Sequence, residues 1–508
     1  MVFKVDDTAQ FLILTSSTQL ESDQLSASLT KKIANYFILK KKFPHWDGEI
    51  KFIDKYNRTP IGIWKEIQKI CKQYSFSLEI EGVEHLYDKD FDETDFIEWS
   101  HDYFQDEFQP RDYQNEATAR LLKYKKCTEE ISTSGGKTLI AFMFFKYLYD
   151  KKAIKKMLYI VPNINLVTQT EEKFYEYEEL SLHKPNWKSE CVFSGVKSND
   201  IKPNIIFGTF QSLTKKPLEY FADFDVVCAD ECHHSKTVSI KNILTKCHKA
   251  KYKFGMTGSL PPEGSLDSFT IQSYLGPCVY RIKSSDLIAA GNATPVNVIQ
   301  IELDYLETDI KKKLYDLRNV SANEKDGVKL LNLEKDILRS DRKRLLYVCN
   351  TIAQTTKNSL VLFADIKNDY GRTVFDWLKE NTDKIIYYID GGTKNENRDY
   401  YKKQMEIQEN TIIVASVGCF SEGVDILNVH SMFVLESHRS EIIIRQILGR
   451  GMRLMEGKEK IMVIDFCDNY MYGTHKYQKI NYLLRHSNER ARIYKDRQFP
   501  YKRFKVKL

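Results

Sequence analysis

The chain has 508 residues, 42% hydrophobic and 29% charged, with a net charge of +6. That length exceeds what one hydrophobic core serves and excludes a single small binding module, and the composition excludes a chain too polar to fold. No apolar run reaches the roughly 18–20 residues of a membrane span, Lys4, Asp6 and Asp7 are unlike a signal peptide, and the ten cysteines follow no repeating framework, which predicts free thiols and a cytoplasmic location.

In chain order, residues 1–100 read as a small α+β module with turn signals at Pro44 to Gly48 and Asn57 to Pro60. Across residues 101–295, short β-branched and aromatic runs such as Met157 to Val161, Asn204 to Phe207 and Val226 to Ala229 alternate with helix-like segments. That alternation predicts a parallel α/β sheet. Residues 296–345, rich in Lys, Asp, Glu and Leu at helical spacing, are expected to be a helical connector. A second α/β pattern fills residues 346–470, with predicted strands at Ser359 to Phe363, Ile385 to Ile389, Thr411 to Ala415, Met432 to Leu435 and Ile461 to Phe466.

Residues 471–508 are expected to be a basic C-terminal segment. From Arg490 to Leu508 there are eight Lys or Arg against one acid, Asp496. The positive excess of the chain is therefore local. Tyr494, Phe499, Tyr501 and Phe504 interleave with these cations, a mixture that suits phosphate contact and base stacking, and equally a solvated tail.

Ser132-Thr133-Ser134-Gly135-Gly136-Lys137-Thr138 precedes an apolar helical run, Leu139 to Tyr149. Glycines let a backbone close around phosphate, the helix N-terminus offers unpaired N–H groups, Lys137 reaches toward the outer phosphates of ATP, and Thr138 is a ligand for Mg2+. Ile131 stands where the full pattern has glycine, so an empty strand-to-helix turn is the alternative. Asp230-Glu231-Cys232-His233 follows the hydrophobic run Phe224 to Ala229 and so falls at a strand's carboxyl end, where ligands bind in such sheets. Asp230 is placed to hold Mg2+ and Glu231 to orient the attacking water. A zinc site from Cys228, Cys232, His233 and His234 is disfavoured, because no second Cys pair stands at zinc spacing.

Further motifs follow in the order of the superfamily 2 helicases, and the chain resembles that family. Arg111-Asp112-Tyr113-Gln114 resembles its adenine-reading motif, which implies nucleotide contacts for Arg111 and Gln114. Val161 to Gln169 resembles motif Ia and Gly208 to Leu213 motif Ib, implying nucleic-acid contacts for Pro162, Asn163, Gln169, Thr209 and Gln211. Met256-Thr257-Gly258-Ser259 stands at motif III, implying that Thr257, Gly258 and Ser259 couple hydrolysis to strand movement, with Gln446. Leu362-Phe363-Ala364 resembles motif IV. Ala415 to Asp425 resembles motif V, implying a nucleic-acid contact at Ser416 and nucleotide contacts at Gly423 and Asp425. Gln446 to Arg453 resembles motif VI, in which Arg450 and Arg453 meet the γ-phosphate, as their planar forks allow.

The family implies two RecA-like parallel-sheet lobes, here with the small α+β N-terminal domain, and an ATP-dependent clamp whose opening and closing moves a strand. His45-Trp46-Asp47-Gly48 and Asn57-Arg58 with Pro60-Ile61-Gly62 resemble the N-terminal domain of phage recombination helicases, which puts Trp46 and Arg58 among the candidate DNA contacts and Lys40, Lys41 and Lys42 beside them. A packed turn around Trp46 and Trp64 is the alternative. The expected activity is unwinding or branch migration of forks, Holliday-type junctions and R-loops in recombination, repair and replication. The expected partners are branched DNA, RNA in hybrids, and recombination or single-strand-binding proteins in a phage-infected host's cytoplasm. An RNA helicase or duplex translocase would use the same motor, and a clamp without turnover would lack Lys137, Glu231 or the motif VI arginines.

Overall fold

Short β-branched runs flanked by longer helices fold, in a computed structural model of the chain, into two seven-stranded sheets. The residues described are all except 34–44, 184, 196–201, 237, 321–323, 365–368, 422–425, 437–447, 450 and 473–479. The chain divides into two compact units, Met1–Ile282 and Lys283–Leu508.

In the first unit the strand order is Cys278–Ile282, Lys126–Ile131, Tyr252–Thr257, Val226–Asp230, Met157–Val161, Ile205–Thr209 and Ser189–Val192. Every neighbouring pair is parallel. Helix Lys137–Asp150 is apolar on all sides because it is enclosed on all sides: Phe142, Met143, Phe144 and Phe145 are fully buried. Aromatic rings fill the surrounding space, with Phe142 edge-on to Phe174 and Phe144 against Phe254.

The N-terminal module has a mixed four-stranded sheet in the order Arg58–Pro60, Phe11–Ser16, Val2–Val5, Glu79–Glu81. A capping box formed by Thr18 and Glu21 starts its helix Gln19–Ser28. The module shares its core with the larger sheet's helix Leu266–Leu275, since Phe52 packs on Phe269 at 5.3 Å. The approach is close enough that a Cβ on Gly62 would sit 1.8 Å from the Gln272 carbonyl oxygen, so only glycine fits there.

In the second unit the order is Ile385–Ile389, Thr411–Ser416, Ser359–Phe363, Ser431–Val434, Ile461–Asn469, Val296–Asp304 and Tyr501–Lys507, again parallel throughout. Two segments differ from the sequence reading. Residues 296–304, expected within a helical connector, are a strand, and the helices of that region are Thr308–Val320, Glu324–Ser340 and Arg342–Ala353. Residues 482–496 and 501–507, expected as a basic tail, are a packed helix and the sheet's edge strand.

The physical reason lies in long-range pairing. Asp465 accepts from Arg490 Nε at 2.9 Å and Nη2 at 2.6 Å, from Gln300 Nε2 at 2.8 Å and from Tyr494 Oη at 3.1 Å. Arg490 and Tyr494, whose composition pointed to solvent or nucleic acid, are buried partners of a carboxylate that lies in another strand. Arg490→Ala leaves Asp465 buried without its counter-charge and is expected to destabilise this unit by about 3–5 kcal/mol. Denaturant unfolding measures the loss, and Arg490→Met with Asp465→Leu should recover most of it; an unchanged midpoint in the single variant would show the pair to be solvated.

Candidate nucleotide site

Strand Lys126–Ile131 runs into the loop 132–136, where Ser134 (φ 70°) and Gly136 (φ 81°) take left-handed backbone conformations. Gly136 is required twice over, since a Cβ there would lie 2.2 Å from Gln114 Nε2. Helix Lys137–Asp150 begins at Gly136 without a side-chain cap, and a helix N-terminus of this kind favours an anion.

The sheet order decides which carboxylates meet this loop. Strand Tyr252–Thr257 lies between the loop's strand and Val226–Asp230, so three strand ends converge at one carboxyl edge. Lys137 Nζ lies 3.3 Å from Glu231 Oε1. Glu231 itself is left-handed (φ 48°), a conformation uncommon for a residue with a Cβ, and its N–H donates to Asp230 Oδ1 at 2.8 Å. Thr257 Oγ1 donates to Glu231 Oε2 at 3.1 Å, and the Ser259 N–H donates to Thr257 Oγ1 at 3.2 Å. Gly258 lies against the loop: a Cβ there would be 3.2 Å from Thr133 Oγ1.

These contacts split the two adjacent carboxyls. Burial and then the negative charge of Glu231 push Asp230 above the usual carboxylate range. Burial acts in the same direction on Glu231, but Lys137 and the bonds from His233 and Thr257 outweigh it and hold that carboxyl low. Glu231 is thus the stronger acid of the pair. Asp230 and the half-buried Thr138 offer the hard oxygen donors that suit Mg2+, which would reverse the upward shift of Asp230.

His233, by sequence a candidate zinc ligand, takes part in this hydrogen-bonded group instead. Its Nδ1 lies 2.8 Å from Thr257 Oγ1 and 3.3 Å from Glu231 Oε2, and its Nε2 is buried with no hydrogen-bond partner among the described residues. The available signal was its position, three residues after Asp230 and beside the strand that carries Thr257. Cys228 and Cys232 are buried thiols whose pKa burial pushes well up.

Gln114 is buried, accepts from the Arg111 N–H at 2.9 Å and donates to the Gly135 carbonyl at 3.3 Å. It ties the adenine-type motif to the phosphate-type loop. Arg111 Nη1 donates to Tyr113 Oη at 3.3 Å.

The candidate nucleic-acid residues are distributed differently. Asn163 caps helix Ile164–Glu179 by accepting from the Leu166 N–H at 3.0 Å, and Thr209 caps Phe210–Leu213. Gln211 donates to the Pro162 carbonyl at 3.3 Å, which joins the two loops, while Gln169 is half-buried on the same helix as the Asn163 cap. Trp46 donates to the Glu49 carbonyl at 3.1 Å and Arg58 is paired with Asp54 at 2.8 Å, both within the N-terminal module and both in local roles. In the second unit Ser416 is buried at a strand end and accepts from the Cys419 N–H at 3.4 Å, and Arg453 is half-buried. Gly423, Asp425, Gln446, Arg450 and Lys40 to Lys42 lie outside the described residues.

Comparison with known families meets this geometry. The family model of the type III restriction enzyme res subunit matches residues 107–261, and that of the helicase conserved C-terminal domain matches residues 331–455. The chain belongs to the superfamily 2 helicases. As a helicase of this type it is an ATP hydrolase, and the two sheets are its RecA-like lobes. Over 480 residues it is 29% identical to the ATP-dependent DNA helicase uvsW of Enterobacteria phage T4, covering 91% of this chain and 90% of that one. A type I restriction enzyme endonuclease subunit of Staphylococcus aureus (strain COL) is 29% identical over 192 residues, which are 36% of the helicase and 20% of that subunit. In fold, the helicase is similar to the ATP-dependent type ISP restriction-modification enzyme LlaBIII bound to DNA, with a TM-score of 0.58 at 16% identity, over 87% of this chain and 34% of that one. No helix among the described residues is long and apolar enough to cross a membrane.

Proposed function

We propose that this helicase uses ATP and Mg2+ to unwind or branch-migrate branched DNA: forks, Holliday-type junctions and R-loops. The observation that carries the motor part is the meeting of Lys137 and Glu231 at 3.3 Å, at the carboxyl edge of a parallel sheet and beneath an uncapped helix N-terminus. In this reading the loop 132–136 and Lys137 cradle the phosphates, and Thr138 and Asp230 hold Mg2+. Glu231 orients the attacking water, and Arg450 and Arg453 neutralise charge that develops on the γ-phosphate. Thr257, His233 and Ser259 report the state of Glu231 to the strand that carries motif III. The branched-DNA part is supported by the likeness along most of the chain to a phage DNA helicase.

ATP hydrolysis by the purified protein tests both parts, measured without nucleic acid and with single-stranded DNA, plain duplex, a synthetic four-way junction and single-stranded RNA. Stimulation is expected to be strongest with the junction and to vanish in Lys137→Ala. Strongest stimulation by RNA would replace this reading with an RNA helicase, and by plain duplex with a translocase. No stimulation by any of them would remove the nucleic-acid motor.

A further inference from the structure

We propose that the edge strand Tyr501–Lys507, with the adjoining face of helix Tyr482–Asp496, is a second contact for the nucleic-acid backbone, remote in sequence from motifs Ia, Ib and V. The strand hydrogen-bonds to one neighbour, Val296–Asp304, and ends the sheet on that side. Its outward N–H groups therefore have no partner strand among the described residues, and the lysines along it oppose addition of a further strand while leaving the edge open to a polyanion.

The cations sort into two classes. Arg490 is consumed by Asp465, Arg503 pairs with Glu302 at 2.9 Å and Lys505 with Asp304 at 3.1 Å, so these three hold the fold together. Arg492, Lys495, Lys502 and Lys507 are exposed and make no ion pair among the described residues. Arg492 and Lys495 stand three residues apart and share a helix face. Lys495 Nζ lies 5.4 Å from the centre of the Tyr501 ring, which joins that face to the strand.

Between Lys502 and Lys505, Phe504 is 52% exposed, although its neighbours on the sheet face, Val506 and Ile301, pack into the core. An exposed ring with the unpaired Lys502 on its own strand face, beside outward N–H groups, matches a polyanion with flat bases. An acidic polypeptide would satisfy the cations but has no use for the ring. The inference adds a surface to the helicase and holds whichever nucleic acid stimulates turnover, because its readout is binding.

The full-length Lys495→Gln/Lys502→Gln/Lys507→Gln variant is compared with the parent by fluorescence anisotropy, on labelled single-stranded and duplex DNA over a range of salt. Three lost phosphate contacts should reduce the slope of log K against log salt by about 2–3. The corresponding triple Lys→Arg variant should keep the parental slope, and Phe504→Ala should weaken single-stranded binding about tenfold at an unchanged melting midpoint. Parental affinity and slope in the Gln variant on both DNAs would overturn the proposal. So would loss of poly-glutamate binding with DNA binding intact, which would assign the edge to an acidic polypeptide.

Discussion

Glu231→Gln is expected to reduce ATP turnover by about 10²–10⁴-fold, the contribution of a well-placed acid–base group, with nucleotide binding retained. The basis is the environment of the carboxyl. Lys137, His233 and Thr257 hold Glu231 ionised against the effect of burial, so an anion with a free lone pair is maintained at the strand end where the loop closes. Glutamine keeps the shape and the bond from Thr257 but can neither carry that charge nor take a proton. Lys137→Ala should differ in kind by weakening binding itself, since it removes the cation proposed to meet the phosphates. Phosphate release and binding of a fluorescent ATP analogue separate the two. Turnover in Glu231→Gln above about a tenth of the parental rate would assign the water-orienting role elsewhere.

Glu129→Gln is expected to make the first unit more stable at alkaline pH and to flatten its pH dependence. Glu129 lies in the middle of strand Lys126–Ile131, fully buried, with neither carboxyl oxygen hydrogen-bonded among the described residues. Burial, only partly offset by Arg120, raises its pKa well above the ordinary 4.5. The folded protein therefore holds this proton when the unfolded chain has lost it. The stabilisation is complete below the unfolded value and declines as pH rises toward the folded one, by about 1.4 kcal/mol per pH unit for one proton. Glutamine mimics the protonated acid at every pH. As pH rises above the unfolded value near 4.5, the parent should lose stability relative to the variant with that slope. Denaturant unfolding followed by tryptophan fluorescence measures it, and parallel curves would mean that the carboxyl reaches solvent.

The chemistry of the candidate site was legible because it is local. The strand, turn and apolar helix around Gly135-Gly136-Lys137-Thr138 form in succession as their local pattern predicts, and Asp230 and Glu231 sit at a strand end by their place in the chain alone. The run of ordered motifs brought in the family for the same reason. His233 was legible as a residue but not in its role, since its partner Thr257 comes from the next strand of the sheet.

The segments legible without the fold are thus the short ones whose conformation is decided by neighbours a few residues away: the loop 132–136, the strand ends and the helix starts. The tertiary structure alone decided which strands lie side by side. Strand Tyr252–Thr257 enters between the two nucleotide-site strands, and Val296–Asp304 pairs with both Ile461–Asn469 and Tyr501–Lys507, 165 and 201 residues away for the Gln300 bonds to Asp465 and Tyr501. Arg490 and Glu129 look alike in sequence, as charges in mixed surroundings, and only packing separates a buried ion pair from a buried lone acid. The physical reason is that burial and counter-charge are properties of the enclosed space, which distant segments build together.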